Sequence, residues 1–314
     1  SDEEEKTDSS DTGYPFEDTG VLFQERTDSG GVPPPCGYYN LLGSIAVQGT
    51  PETPALMYCD TDIPGGLRFV QVNGETEEVH TQMLASKTCY ADPDTGAMFP
   101  LEDGWLVTWI DLQAGPGIVS GHISAQGEWS EETSQVLFEG TAKRLHAVGQ
   151  HLLIVDSDDQ LWSIPVDDGV IAGEPLLILD DTLTVGATET PNGFAVATCG
   201  DGGGGPHATT NGPLVTLVQN GEIAWTTTLE GDCFFDARPS IAWESNQLAV
   251  AWEQEQTGTA IFLDDTGTQV ALVDLGEEGR YPQVTALDSG FLLADGSGQV
   301  RKMEVDGTPV DTWE

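Results

Sequence analysis

The feature of this sequence that most restricts its fold is a turn that returns six times at nearly even spacing. Asn73-Gly74, Gln126-Gly127, Asp168-Gly169, Asn220-Gly221, Thr266-Gly267 and Asp306-Gly307 each follow a run of alternating or apolar β-type residues, and their glycines stand about 40 to 53 residues apart. Glycine takes the positive φ of a tight two-residue hairpin without a Cβ clash, and Asn or Asp before it is the next most tolerant residue. Segments ahead of these turns, at 67–72, 161–166, 213–218, 260–263 and 300–305, read as strands. A second set of turns precedes shorter, wholly apolar runs: Gly104 before 105–109, Gly149 before 152–155, Gly193 before 194–197, Asn246 before 248–252 and Gly290 before 291–294. Ala55-Leu-Met-Tyr58 takes the same place in the first unit. Unbroken apolarity marks a strand covered on both faces.

Both sets count six units, at about 38–84, 85–139, 140–182, 183–231, 232–276 and 277–314. Periods of this length belong to radial repeat architectures in which small sheets share one core. The expectation is an all-β chain: a six-bladed β-propeller of four-stranded antiparallel blades over 38–314, preceded by an acidic leader at 1–18 and by a closing strand and Pro-rich connection at 19–37. The last unit stops soon after its hairpin, so Thr19-Gly-Val-Leu-Phe-Gln-Glu25 is expected to supply its outer strand and close the ring, removing exposed edges. No segment sustains the 3.6-residue stripe of a helical solenoid.

Charge excludes several partners. Ten Lys and Arg against 53 Asp and Glu give a formal net charge of −43, which repels nucleic acid and anionic membrane. No apolar run approaches the roughly 18 residues that span a bilayer. The opening Ser1-Asp-Glu-Glu-Glu-Lys-Thr-Asp-Ser-Ser-Asp11 is too polar to offset its ordering entropy and reads as a tether. A processed export precursor is expected, located outside the cell or at its surface, with membrane attachment only through a lipid anchor ahead of Ser1, as in an outer-membrane lipoprotein.

The cysteines check the register. Cys59 follows a second-strand run and Cys89 precedes the next unit; Cys199 and Cys233 occupy the same two places three units later. In a propeller those two loops lie on one face, conventionally the top, so Cys59–Cys89 and Cys199–Cys233 are the expected disulfides. Each closes a loop of about 30 residues, worth about 3 kcal/mol in the chain-entropy model, and implies an oxidising compartment. The competing reading is buried thiols. Cys36, in Pro33-Pro-Pro-Cys-Gly37, is left over for a free state, another chain or a different pairing.

Candidate binding residues cluster where first strands begin. Arg238 and Arg280 lead into the fifth and sixth units, Lys143 and Arg144 into the third, and Lys87 approaches the second. In so acidic a chain they form a candidate positive funnel for a carboxylate, sulfate or phosphate, because Arg makes bidentate charge-assisted bonds to such groups. The alternative is that they pair with Asp236, Glu278 or other loop acids and fasten adjacent blades. Gly200–Gly212 is the longest top-face loop; it carries His207 but lacks the GK[ST] ending and following helix of a phosphate loop. Asp60 with Asp62, Asp92 with Asp94, and Asp156-Ser-Asp-Asp159 are candidate calcium ligands. Turn chemistry accounts for all three without metal. No other cofactor is indicated. Tryptophans 105, 109, 225, 243 and 252 lie in strand patterns and read as core rather than as a sugar platform. No Ser/His/Asp grouping or HExxH motif appears, and paired carboxylates are too abundant to single out a glycosidase pair.

The repeated pattern of Pro-x-apolar-Ala, Gly-Phe/Leu-apolar-Val/Leu-Ala and then Asp-x-Gly is clearest in 238–270 and 280–310. It resembles the repeats of exported surface propellers of bacteria such as myxobacteria, and the resemblance implies an exported propeller with a binding or scaffolding role. No catalytic residue carries over. The functional expectation is an extracellular non-enzymatic module that engages a protein, glycan or small anionic ligand at its top face. The alternative is an extracellular carbohydrate-active hydrolase or lyase using top-face carboxylates, with or without calcium.

Overall fold

The computed structural model describes residues 44–48, 54–60, 66–72, 79–86, 95–111, 117–135, 138, 140–167, 169–171, 173–182, 184–200, 212–233, 238–254, 257–277 and 279–313. Every regular element in them is a β-strand, and all pairings are antiparallel, between chain neighbours except for one in the third sheet. The first sheet holds β1 (Ser44–Gln48), β2 (Ala55–Asp60), β3 (Gly66–Val72) and β4 (Val79–Ser86). The second holds β5 (Gly96–Leu101), β6 (Gly104–Asp111), β7 (Gly117–Ser124) and β8 (Trp129–Gln135). The third holds β9 (Ala142–Val148), β10 (His151–Asp156) and β11 (Leu161–Asp167), and its outer strand is split into β12 (Val170–Ile171) and β13 (Leu176–Leu179). Pro175, between the two pieces, has no N–H to continue the ladder. The fourth holds β14 (Thr184–Thr190), β15 (Gly193–Cys199), β16 (Leu214–Gln219) and β17 (Glu222–Thr228). The fifth holds β18 (Ser240–Glu244), β19 (Gln247–Gln254), β20 (Thr257–Asp264) and β21 (Gln269–Gly276), and the sixth β22 (Gln283–Leu287), β23 (Gly290–Ala294), β24 (Val300–Met303) and β25 (Pro309–Trp313).

The apolar runs are the second strands of their sheets, and successive side chains go to opposite seams, as the two-residue period of a strand requires. On β19, Leu248, Val250 and Trp252 join the cluster shared with the fourth sheet, while Ala249 and Ala251 join the one shared with the sixth. On β6, Trp105, Val107 and Trp109 face the first sheet, and Leu106 and Ile110 the third. On β10, Leu152 and Ile154 face the second sheet, and Leu153 and Val155 the fourth. Small residues make room for large ones: Ala195 and Ala197 share a cluster with Trp252, and Ala249 and Ala251 share one with Phe262 and Phe291. First strands of consecutive sheets also adjoin, β1 with β5, β5 with β9, β9 with β14, β14 with β18 and β18 with β22. The Ser240 hydroxyl fixes one of these junctions, accepting from the Val284 N–H at 3.0 Å.

Two sequence expectations need correction. The hairpins are not uniformly two-residue loops. Asn220-Gly221, with φ of 51° and 78°, and Gly169, between paired Asp167 and Val170, sit in two-residue loops. Gly127, Gly267 and Gly307 instead end three-residue loops. Each donates its N–H to the carbonyl three residues back, at 2.8, 3.0 and 3.0 Å, and has a φ near 80°. A turn followed by a left-handed glycine is the next commonest hairpin solution. The residue opening the loop selects it: the Asp264 carboxylate accepts from Thr266 N–H and Thr268 N–H, both at 2.9 Å, which clamps the wider turn. These bonds, that from the Thr266 hydroxyl foremost, hold the Asp264 carboxyl below its ordinary range. The second correction concerns the last unit, which does not lack an outer strand. The loop at Gly307 reverses the chain so soon that Pro309–Trp313 fills that place as β25. Thr19–Glu25, with the rest of the leader, lies outside the described residues.

Hairpin glycines also fasten sheet to sheet. A Cβ on Gly127 would meet His80 of the first sheet, one on Gly169 would meet Leu101 and His122 of the second, and one on Gly267 would meet Trp225 of the fourth. The His122 Nε2–H donates to the Gly169 carbonyl at 2.8 Å, and the Trp225 Nε1–H donates to the Asp265 carbonyl at 2.8 Å.

Trp252 is fully buried at the seam of the fourth and fifth sheets. Trp252→Ala is expected to lower unfolding free energy by about 3–5 kcal/mol, the usual cost of an aromatic cavity, read from urea denaturation followed by tryptophan fluorescence.

Candidate functional site

Where second strands finish, three carboxylates are buried at the same end of their sheets: Asp156 at the end of β10, Glu253 near the end of β19 and Asp295 after β23. A buried charge is costly unless bonded, so each identifies the group it was placed to hold. Asp156 accepts from Asp158 N–H and Gln160 N–H at 2.9 Å and from Trp162 Nε1–H at 2.8 Å. Asp295 accepts from Ser297 N–H at 3.0 Å and Gln299 N–H at 3.2 Å. Both close their own hairpins. In Asp156-Ser-Asp-Asp159 the turn itself engages the Asp156 carboxylate, and Asp159 has a left-handed φ of 61° and pairs with Lys143 at 2.7 Å. Among the described residues, no group of three His, Cys, Asp or Glu side chains is placed to hold a metal ion.

Glu253 differs because it reaches across a seam. Its side chain is 0% exposed, and Oε1 accepts from Arg280 Nε at 2.9 Å, while Oε2 lies 3.4 Å from the Tyr281 amide. Arg280, 38% exposed, thus leads into the sixth sheet clamped to the fifth. Its carbonyl accepts from Gly296 N–H at 2.6 Å. The guanidinium carbon lies 5.1 Å from the Tyr281 ring centroid, with Nη2 donating to the phenol oxygen at 3.3 Å. Tyr281 is half exposed and has a φ of 51°.

The expected cations do not stand at equivalent positions. Arg238 directly precedes Pro239 and lies two residues before β18; Arg280 is three before β22, where Tyr281 holds the position before Pro282. Arg144 lies inside β9, opposite Val155. Arg280 pairs with Glu253; the expected partners Asp236 and Glu278 lie outside the described residues, as do Lys87, His207, Asp62, Asp92, Asp94 and Cys36. Glu253 and Tyr281 escaped sequence reasoning. The available signal was a single acid closing the apolar run Leu248–Trp252, a place where a charge needs a dedicated partner.

Of the two expected disulfides, Cys199–Cys233 is formed, with Cα atoms 5.8 Å apart and both residues buried in the seam of the fourth and fifth sheets. It ties the end of β15 to the segment after β17. Cys59 and Asp60 end β2, and Cys89 lies outside the described residues.

Beside Arg144, on the same face of β9, stands His146, which no sequence pattern flagged. Burial first, and the Arg144 charge second, push its imidazole from 6.5 down to about 4. A separate groove of about 560 Å³ opens between β21 and the outer strands of the sixth sheet, beside Leu272, Met303 and Pro309. Its Arg301 donates to Gln299 Oε1 at 2.9 Å.

No protein-family profile and no curated protein matches this sequence. Solved structures do. The WD40 domain of Toxoplasma gondii coronin is 11% identical over 86% of this chain and 70% of its own, with a TM-score of 0.57. The Dos1 propeller is 9% identical over 82% and 67%, with a TM-score of 0.54. A prolyl endopeptidase structure is 14% identical over 86% of this chain but 41% of its own, with a TM-score of 0.55. At such identities the likeness carries the fold alone, an all-β propeller, and the fold alone leaves function to the site.

Two outcomes follow. Arg280→Ala leaves Glu253 buried and uncompensated and is expected to cost about 3 kcal/mol; adding Glu253→Gln should recover part of the loss in the same denaturation assay. His146 binds its proton at about 4 when folded and near 6.5 when unfolded, so unfolding takes up a proton between those values. Stability contributed by this residue is complete above 6.5 and is lost as the pH falls toward 4. His146→Asn should therefore lose about 2 kcal/mol less than the parent between pH 7 and 5, measured as urea midpoints.

Proposed function

We propose that this chain is an extracellular, non-enzymatic binding or scaffold propeller of six blades, engaging its ligand at the end where second strands finish and first strands begin. The observation that carries the reading is Glu253: a fully buried carboxylate is committed to holding a half-exposed guanidinium on the surface of a chain whose net charge is −43. A cation so fixed on an acidic chain selects a small anionic group and repels extended polyanions. Six blades are supported by six sheets among the described residues and by an apolar cluster at each of the five seams from the first sheet to the sixth. Export is supported by Cys199–Cys233, since structural disulfides persist in oxidising compartments. Arg238, exposed ahead of β18, belongs to the same end and extends the surface toward the fifth sheet.

The test is a panel of charged and neutral glycans with inorganic sulfate and phosphate, titrated calorimetrically against the parent and Arg238→Glu. Binding confined to anionic members and weakened at least tenfold in the variant is expected. Binding of no member, or equal binding by the variant, overturns the reading; release of new reducing ends would move the assignment to a hydrolase or lyase.

A further inference from the structure

β21 is the outer strand of the fifth sheet, so one of its edges has no partner among the described strands. Unpaired N–H and C=O groups invite another strand, and natural edges are blunted by charge, proline or bulges. Other outer strands follow this rule: β8 carries Glu131 and Glu132, β13 follows Pro175, and β25 opens on Pro309 and contains Asp311. On β21 the run Gln269–Val273 holds no charge, and its two bulges leave a regular edge at Ala271–Asp274. Within and beside that edge, Leu272 is 55% and Val270 45% exposed; among the described residues no other outer strand exposes two large apolar side chains. Leu272, Val273 and Asp274 all line the groove whose other wall includes Met303 and Pro309. Consecutive side chains of a strand go to opposite faces, so one groove meets all three only by running along the strand's edge.

We propose that this edge docks a short extended segment of another polypeptide, apolar in its middle and cationic at its ends, which joins the fifth sheet as an added strand. Main-chain pairing along the edge gives the affinity, and side chains beside Leu272 and across from Pro309 give the fit. Charge selects the flanks. Asp264 and Asp265 stand in the loop before β21, Asp274 and Glu277 stand at its far end, and the chain holds no Lys or Arg between Pro239 and Gly279. Asp274 Oδ1 accepts from Gly276 N–H at 2.8 Å, and Asp264 is engaged by its turn, so cationic flanks are drawn by the field of these acids without displacing those bonds. On the opposite wall Arg301 donates to Gln299 and lies 4.0 Å from Asp295. A second copy of this chain is a poor occupant: two β21 strands side by side would set acid against acid, on chains that each carry −43. The proposal concerns the outer edge of one sheet and is independent of the anionic ligand assigned above to the strand ends.

The probe is a fluorescein-labelled peptide of alternating valine and threonine with two lysines at each end, titrated against the full chain by fluorescence anisotropy. Two comparison peptides separate the contributions: one carries glutamates in place of the lysines, and the other keeps the lysines but is N-methylated at alternate residues, which preserves charge and removes the strand's hydrogen bonds. The parent should bind the lysine peptide at least tenfold more tightly than either. Leu272→Lys, at an exposed position, should weaken that binding at least tenfold, whereas Ile223→Lys on the outer strand β17, also exposed, should leave it unchanged. Equal binding of the N-methylated peptide means simple attraction to an acidic protein and overturns strand addition, a result read on the parent without any variant. Equal loss in both variants, or no binding of the lysine peptide, overturns it too. A dimer of the parent seen by light scattering and dissolved by Leu272→Lys would give the edge to a second copy instead. The anionic panel and this cationic peptide carry opposite charge, so either proposal can fail while the other stands.

Discussion

The structure depends on second strands that are covered on both faces. In the second to fifth sheets each is sandwiched between the neighbouring sheets, so its side chains alternate between two seams rather than between core and solvent. Burial at roughly 25 cal/mol per Å² of apolar surface is thus collected twice along one strand. None of the small sheets can bury its faces alone, and each seam is a shared core. That explains why Ala recurs at 195, 197, 249 and 251: where one strand offers methyl groups, the neighbour has room for Trp252 or for Phe262 and Phe291. Packing at native density leaves little freedom to change one side without the other.

The same geometry makes the ends of these strands the natural place for chemistry. A charge at the end of a doubly covered strand is desolvated by both seams, so it persists only with dedicated partners. Asp156 and Asp295 find theirs in their own turns, which makes them structural. Glu253 finds its partners on the next sheet and holds Arg280 and Tyr281 in a geometry their own backbone resists. One carboxylate therefore links the integrity of a seam to the shape of the surface above it. The disulfide between Cys199 and Cys233 fastens the adjacent seam at its own buried site, so two neighbouring junctions are secured by chemistry as well as by packing.

Much of the architecture was legible because glycine and apolar periodicity act locally. The Xaa-Gly turns at Gly127, Gly169, Gly221, Gly267 and Gly307 all take positive φ, and a wholly apolar run such as Leu248–Trp252 has no stable place except between two layers. Those two signals determined the all-β class and the strand order within the sheets, except for the split outer strand of the third and the outer strand of the sixth, and they set the register that places Cys199 opposite Cys233. Loop length was less legible, because it turns on whether an acid such as Asp264 caps the turn, a choice made by hydrogen bonds two and four residues ahead. What only the tertiary structure decided was the partnership across seams. Glu253 and Arg280 are 27 residues apart, and nothing local relates them. The depressed imidazole of His146 and the left-handed backbone of Tyr281 likewise come from neighbours supplied by other strands and sheets, because desolvation and long-range hydrogen bonding are properties of the assembled interior rather than of any stretch of chain.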